Sequence, residues 1–443
     1  MTPFEPLGPL FTDLYELTMA AGYFDHGITA EATFSMFIRG NKTPRRCYVA
    51  AGLAPALEEL GGLRFSADDL RYLESTGFFS QKFLSYLEGF RFSGEVLAMP
   101  EGTVFFPEEP VLEVTAPVIE AQVVETFLLN TIGFSTLIAS KAVRCVQVAG
   151  GRPLVDFSLR RTQGSDAGMK VARSAYIAGF AGTSNVLAGK LFGIPVSGTM
   201  AHSYVCAFDS EEAAFEAFSQ TFPNDSVFLI DTYDTLEGAR AAARVAAKMA
   251  RQGASLKGVR LDSGDMVDLS RQVRRILDEA GLPEVKIFAS SSFDEYLIRD
   301  VLVKGAAIDA FGVGTKMGVS ADAPYLDIVY KLVDLGDRPI RKLSPGKVTL
   351  AGRKQVFRKM SGDGRCLEDV VGLRDEALPA GMPLLERVMA DGRPTAPASD
   401  LDDLRSRCRR SLSAFETTHV ALEGGSPYPV GVSERLTALQ QSI

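Results

Sequence analysis

Residues able to do chemistry collect in the middle of the chain, each group just after a short apolar run. In order they are Asp156-Phe157-Ser158-Leu159-Arg160-Arg161, Ser197-Gly198-Thr199-Met200-Ala201-His202-Ser203, Asp231-Thr232-Tyr233-Asp234, Asp262-Ser263-Gly264-Asp265, Ser290-Ser291-Ser292 and Gly312-Val313-Gly314-Thr315-Lys316. The last is a glycine-rich turn, which can present backbone N–H groups to a phosphate or simply be tight. Asp231, Asp234, Asp262 and Asp265 suit ribose hydroxyls, or Mg²⁺ held through phosphates and water. They equally suit helix N-caps following a strand. Arg160, Arg161 and Arg260 can meet a carboxylate or phosphate through two parallel hydrogen bonds. Arg260 stands between Val259 and Leu261, inside an apolar run, which is not the setting of a surface arginine. His202 is one of 3 histidines, with His26 and His419, and only His202 follows a Gly-Thr turn at a strand end. A neutral imidazole there can act as a base, or as a nucleophile that forms a covalent intermediate.

These groups need a scaffold that brings them to one place. Counted through Val155, Val196, Leu229, Arg260, Ile287 and Phe311, the apolar runs recur at steps of 41, 33, 31, 27 and 24 residues. Helical patterns lie between most of them, clearest at Leu236–Ala250 and Met266–Glu279. Such alternation marks successive βα units and a parallel sheet. With six units a closed or nearly closed α/β barrel is expected over a Rossmann sheet, and barrels carry their chemistry at the C-terminal ends of the strands.

The flanks read differently. Helices are expected at Phe11–Phe24, Ala51–Leu60, Asp68–Glu74 and Gln81–Leu87, a strand at Phe34–Ile38, and a long helix at Ile119–Ala149. Between Arg91 and Val118, short alternating runs divided by Gly and Pro indicate antiparallel strands, as do Leu326–Val333, Lys347–Leu350 and Gln355–Arg358. Pro394–Asp400 reads as a loop and Asp402–Leu412 as a helix. The expected organisation is an irregular TIM-like α/β barrel plus an α+β sandwich domain built from both chain ends. Residues 1–125 would form the N-terminal part of the sandwich, 126–325 the barrel, and 326–443 a segment returning to the sandwich.

Composition limits what this can be. The 443 residues are 46% hydrophobic and 23% charged, ordinary for a globular protein. A net charge of −8 argues against nucleic acid as a partner, because a phosphate backbone needs a broad basic face. The 5 cysteines are scattered without a CxxC pair, so neither a zinc knuckle nor a disulfide framework is expected. The most apolar run, Phe127 to Ala139, is interrupted by Asn130, Thr131 and Ser135, and no membrane span is expected. The first residues carry no basic charge ahead of an apolar stretch, which leads to the expectation of a cytoplasmic protein.

Two near-matches narrow the chemistry. Gly182 to Lys190 is too long between its glycines for a Walker loop. Val227 to Asp234 resembles the diphosphoribose loop of Rossmann-like phosphoribosyltransferases, but Thr232 separates the two acids that such loops hold adjacent. A ribose-phosphate ligand on a different fold is the better fit.

Read with Phe11-Thr12-Asp13-Leu14-Tyr15-Glu16-Leu17-Thr18-Met19 near the start and Tyr428-Pro429-Val430 near the end, the clusters resemble a known family. Leu159-Arg160-Arg161-Thr162-Gln163-Gly164, Gly198 to Ser203 and Arg260 to Asp265 are its most specific markers. The chain is similar, over nearly its whole length, to the nicotinate phosphoribosyltransferases, whose barrel is irregular. The resemblance implies that nicotinate and phosphoribosyl pyrophosphate give nicotinate mononucleotide and diphosphate, in NAD salvage. It implies ATP as co-substrate, hydrolysed to ADP and phosphate through a phosphorylated His202, and Mg²⁺ accompanying phosphoribosyl pyrophosphate and ATP. It further implies a homodimer with shared active sites. Phe157 would stack on one face of the pyridine ring and Tyr15, from the other subunit, on the opposite face. Arg260 and Thr199 would hold the carboxylate. Arg160 and Asp231 would line the ribose, with Asp262 close by as a catalytic acid. Gly314 and Thr315 would take the 5′-phosphate, and Arg39 the pyrophosphate. No protein-bound metal is implied.

Four alternatives stand beside this. Nicotinamide-using relatives carry an aspartate where this chain has Ser184, so the acid is the expected substrate over the amide. Quinolinate phosphoribosyltransferases need a more basic pocket and no histidine switch. A sugar-phosphate lyase on a barrel would need a Schiff-base lysine or metal cluster, and Lys316 is the one lysine placed for it. A binding or scaffold protein without activity would have no use for the intact His202, Arg260 and Asp262.

Overall fold

Most of the apolar runs that end in a polar cluster form short parallel strands. A computed structural model describes residues 7–40, 45–344 and 349–443. The strands are β1 (Leu154–Asp156), β2 (Gly182–Thr183), β3 (Val227–Leu229), β4 (Gly258–Leu261), β5 (Lys286–Ala289) and β6 (Ala310–Val313). Their hydrogen-bonded order is β2-β1-β6-β5-β4-β3, and every pairing is parallel. The last strand therefore returns to the first, with Val313 opposite Asp156. Sequence neighbours are spatial neighbours around this ring, as in a barrel. The single seam lies between β2 and β3, where Val196 adds only one parallel bridge to Thr183.

That seam departs from the expected strand at Ile194–Val196. Pro195 has no N–H to give a ladder. The contact is limited to Thr183 N donating to Pro195 O and Ser197 N donating to Thr183 O, each at 3.0 Å. The strand that takes its place, β2, has no apolar run to announce it. Gly182 is there because a Cβ would lie 2.5 Å from Pro195 O.

Contacts divide the chain into two compact units, residues 1–140 with 322–443, and residues 141–321. The boundaries expected at 125/126 and 325/326 thus fall at 140/141 and 321/322. Within the barrel unit, Glu295 takes hydrogen bonds from Lys141 and Arg144, at 2.5 and 2.8 Å, and all three side chains are buried. Removing one member of such a cluster leaves an uncompensated buried charge, at a cost of about 3–5 kcal/mol.

The other unit joins both chain ends in the largest of its sheets. Its seven-stranded sheet runs Arg338–Pro339, Ile328–Leu335, Glu31–Ile38, Pro110–Pro117, Glu95–Ala98, Glu386–Ala390 and Arg393–Pro394. A four-stranded sheet is built from Gly381–Pro383, Lys354–Met360, Cys366–Leu373 and Val430–Val432. Phe34 stacks on Tyr330 at 4.7 Å across the pairing of the two ends, and the Tyr330 hydroxyl donates to Ala121 O. Arg358 reaches Asp369 with two nitrogens, at 2.9 and 2.6 Å, and both side chains are buried.

The long helix expected at Ile119–Ala149 is two, Val118–Val123 and Glu125–Val148. By length and composition the second could cross a membrane, but 78% of its apolar window is buried within the protein, as in a core helix. Of the strand expected at Lys347–Leu350, Lys347 and Val348 lie outside the described residues, and Thr349 and Leu350 are not in a strand.

Candidate active site

Construction of the site starts at the end of β1. Asp156 is buried and accepts from Ser158 N at 2.9 Å, Ser158 Oγ at 2.5 Å and Thr183 Oγ1 at 2.8 Å. Burial pushes its carboxyl above the ordinary range, and these three donors oppose that. The bonds fix the turn that carries Phe157 and the short 3₁₀ helix Leu159–Arg161. Phe157 N donates to Val313 O, and its ring lies 5.7 Å from that of Phe288. The ring fits only because residue 312 is glycine, since a Cβ there would meet Phe157 Cδ2 at 2.6 Å. Phe157 is thus a half-exposed aromatic shelf at the strand ends.

Arg260 points from β4 into the same region. One guanidinium nitrogen, Nη1, donates to Thr199 Oγ1, while Nε is buried with no hydrogen-bond partner among the described residues. Burial lowers the Arg260 pKa, opposed by the charges of Asp262 and Asp231 and reinforced by Arg160. A buried guanidinium nitrogen without a partner is costly unless an anionic ligand completes it.

The four acids separate into two kinds. Asp234 and Asp265 are N-caps, each accepting two backbone N–H groups of the helix that follows. Asp231 and Asp262 turn to the site. Asp231 Oδ2 accepts from Asp262 N at 2.9 Å and Ser263 Oγ at 2.7 Å, and Oδ1 is buried without a partner among the described residues. Asp262 Oδ1 accepts from Ser290 Oγ. Its Oδ2 lies 3.9 Å from His202 Nε2, and the two side chains are 39% and 44% exposed. The other ring nitrogen, Nδ1, is 3.1 Å from Thr232 Oγ1. The imidazole therefore stands between a hydroxyl and a carboxylate, open to an incoming ligand.

Gly314 precedes the helical turn Thr315–Gly318 at the end of β6, and Thr315 is exposed at its start. Lys316 Nζ binds Asp294 Oδ2 at 2.7 Å. Burial would raise the Asp294 carboxyl, but Lys316 and the N–H of Leu297 outweigh it and hold it below the usual range. The lysine that a lyase would require as a free amine is held in an ion pair. Among the described residues, no group of three or more His, Cys, Asp or Glu is arranged to hold a metal ion.

Of the expected site residues, Phe157, Arg160, Thr199, His202, Asp231, Arg260, Asp262, Gly314 and Thr315 all lie in the barrel unit, at strand ends or in the loops after them. Tyr15 and Arg39 belong to the other unit. Tyr15 is 46% exposed on helix Leu14–Asp25, and burial, then the Glu125 and Glu16 carboxylates, push its phenol pKa up. Sequence reading gave no role to Thr232 as the partner of His202, Ser290 as the partner of Asp262, or Gly312 as the space for Phe157. Their signal is weak because hydroxyls and glycines follow strands for many reasons.

Fold and site together define an α/β-barrel enzyme. Known proteins agree on a narrower class. Three family models match in succession: the nicotinate phosphoribosyltransferase N-terminal domain over residues 10–133, the nicotinate phosphoribosyltransferase family over 153–355, and the corresponding C-terminal domain over 381–440. Nicotinate phosphoribosyltransferase pncB2 of Mycobacterium tuberculosis is 49% identical over 432 residues, covering 97% of this chain and 92% of its own. Nicotinate phosphoribosyltransferase of Bacillus subtilis is 43% identical over 375 residues, 83% of this chain and 76% of its own. The crystal structure of human nicotinic acid phosphoribosyltransferase aligns with a TM-score of 0.86 at 29% identity, over 98% of this chain and 99% of that one. The chain belongs to the nicotinate phosphoribosyltransferase family.

Proposed function

We propose that this enzyme is a nicotinate phosphoribosyltransferase of NAD salvage, driven by ATP hydrolysis through a phosphohistidine at His202. The observation that carries the substrate assignment is Arg260, a guanidinium hydrogen-bonded to Thr199 with a further buried nitrogen lacking a partner among the described residues. A planar carboxylate above the Phe157 shelf completes that arginine, whereas a carboxamide brings no charge to it. Ser184, neutral where amide-using relatives carry an acid, supports nicotinate for the same reason.

In the reaction the pyridine nitrogen attacks the anomeric carbon of phosphoribosyl pyrophosphate as the bond to pyrophosphate breaks. The transition state resembles an oxocarbenium ion, so the carboxylates of Asp231 and Asp262 stabilise the developing positive charge. Asp231 Oδ1, buried and without a partner among the described residues, is the acceptor for a ribose hydroxyl. Mg²⁺ bound to the phosphorylated substrates would supply charge neutralisation at the leaving pyrophosphate. In this reading Arg160 lines the ribose, and the turn from Gly314 to Thr315 offers its N–H groups to the 5′-phosphate.

His202 couples this to ATP. In the tautomer whose Nδ1–H donates to Thr232 Oγ1, the lone pair of Nε2 is free to accept the γ-phosphoryl group. A nitrogen–phosphorus bond forms, ADP leaves, and water later releases phosphate. The protein acts in the cytoplasm as a homodimer in which Tyr15 of one subunit closes the nicotinate site of the other.

Calorimetric titration tests the acid-binding assignment. Nicotinate should bind the intact protein at least about tenfold more tightly than nicotinamide, and Arg260→Ala should remove that preference. Equal binding of acid and amide to the intact protein would contradict the reading.

A further inference from the structure

We propose that Thr183 is a positioning residue for the acid-recognising side of the site, tying the turn that carries Phe157 to the loops that carry Ser184 and Thr199. The proposal rests on the nicotinate reading above. Thr183 ends β2, the two-residue strand at the seam of the barrel, and its side chain is fully buried. Its Oγ1 donates to Asp156 Oδ2 at 2.8 Å and accepts from Asn185 N at 3.1 Å. The other oxygen of that carboxylate, Oδ1, accepts from Ser158 N and Ser158 Oγ, one residue beyond Phe157. Ser184 N donates to Asp156 O at 2.8 Å. The Thr183 carbonyl accepts from Ser197 N at 3.0 Å, at the start of the loop that brings Thr199 to Arg260. One buried residue is thus bonded to each of the three segments that face the acid.

Packing alone does not explain a threonine here. Valine has the same shape and would fill the space without a hydroxyl to satisfy. Asp156, which takes the hydroxyl, is itself buried, and its side-chain partners are two hydroxyls and one amide, with no cation. A buried carboxylate without a cation is a poor source of stability, because an apolar pair of the same shape avoids its desolvation. What the pair supplies is direction, since each hydrogen bond admits a narrow range of geometry. Asn185 carries that order onward, its Oδ1 accepting from Ala188 N at 3.1 Å and its Nδ2 donating to Gly168 O at 3.3 Å. Ser184 is therefore held between two anchored neighbours while its own side chain stays half-buried. Phe157 and Thr199 are half-buried in the same way, each next to a bond that leads back to Thr183 or Asp156.

The experiment compares nicotinate and nicotinamide as substrates of the full chain, with phosphoribosyl pyrophosphate, Mg²⁺ and ATP, reading KM, kcat and the acid-over-amide ratio of kcat/KM. Thr183→Val keeps the shape but leaves Asp156 Oδ2 and Asn185 N without their partner. It should raise KM for nicotinate about tenfold and cut the acid-over-amide ratio about fivefold or more, while kcat and the KM for phosphoribosyl pyrophosphate stay within about threefold. Thr183→Ser, which keeps the hydroxyl, should stay within about threefold of the unmodified protein throughout. A folded Thr183→Val with unchanged nicotinate KM and ratio would overturn the proposal. Equal impairment of the valine and serine variants, or parallel loss in kcat and both KM values, would overturn it too. Should Thr183→Val not fold by circular dichroism, Thr183→Ala against Thr183→Ser makes the same comparison, and equal behaviour of those two would overturn it. Unmodified protein without preference for the acid would instead refute the nicotinate reading itself, before any variant is compared.

Discussion

In the proposed reaction Arg260 and His202 are assigned most of the chemistry, and each is legible for a different reason. An arginine between Val259 and Leu261 contradicts the apolar pattern of a strand, and that contradiction marks a ligand. His202 stands out by its setting after Gly198-Thr199. The four strand-end acids were ambiguous, because a cap and a ligand both call for a short carboxylate after a strand. Geometry divides them, Asp234 and Asp265 to the caps, Asp231 and Asp262 to the site. Two predictions belong at this scale. His202→Ala should abolish stimulation by ATP yet keep weak ATP-independent synthesis, measured as mononucleotide formed with and without ATP. Arg260→Lys keeps the charge but loses the planar fork, and should raise KM for nicotinate about 10- to 100-fold with a smaller change in kcat.

At the level of elements, strand and helix alternation read correctly because its period is set by geometry. Each βα unit needs a crossover long enough to return along the sheet. What periodicity missed was β2, a Gly-Thr pair with no apolar run, and what it overstated was Ile194–Val196, where Pro195 leaves only a bridge. Both lie at the seam, the least regular part of the ring. Gly312 shows how an element serves the site, since β6 must lack a side chain there to admit Phe157. Gly312→Ala would place a Cβ 2.6 Å from the Phe157 ring. The expected outcome is a folded protein, by circular dichroism, in which the ring is displaced and kcat/KM for nicotinate falls about tenfold or more.

Over the whole molecule, the joining of both chain ends in one unit was visible in their shared antiparallel patterning. Register was not, because the pairing of Phe34 with Leu332 depends on residues far apart in sequence. Glu16, buried in that unit, yields a prediction about stability. Burial raises its carboxyl from 4.5 to about 7, although Thr12 and Thr126 N bond to it. The native state therefore binds more protons than the unfolded chain between these values. Its contribution is complete below 4.5 and is lost as pH rises through 7. Thermal unfolding from pH 4.5 to 8 should show a decline in Tm that Glu16→Gln makes shallower. Assembly yields another. If two subunits share each active site, mixing inactive Tyr15→Ala and Arg260→Ala proteins under exchange should restore roughly a quarter of full activity, because half the dimers gain one intact site. Activity of the mixture equal to that of the separate variants would refute the shared site.

Mass spectrometry of the products distinguishes the proposed reaction from its alternatives in a single experiment. Nicotinate and nicotinamide in equal amounts would be given together with phosphoribosyl pyrophosphate and Mg²⁺, with and without ATP. Nicotinate mononucleotide should be the dominant product and should increase with ATP. Nicotinamide mononucleotide as the main product, or neither mononucleotide from folded protein, would contradict the account.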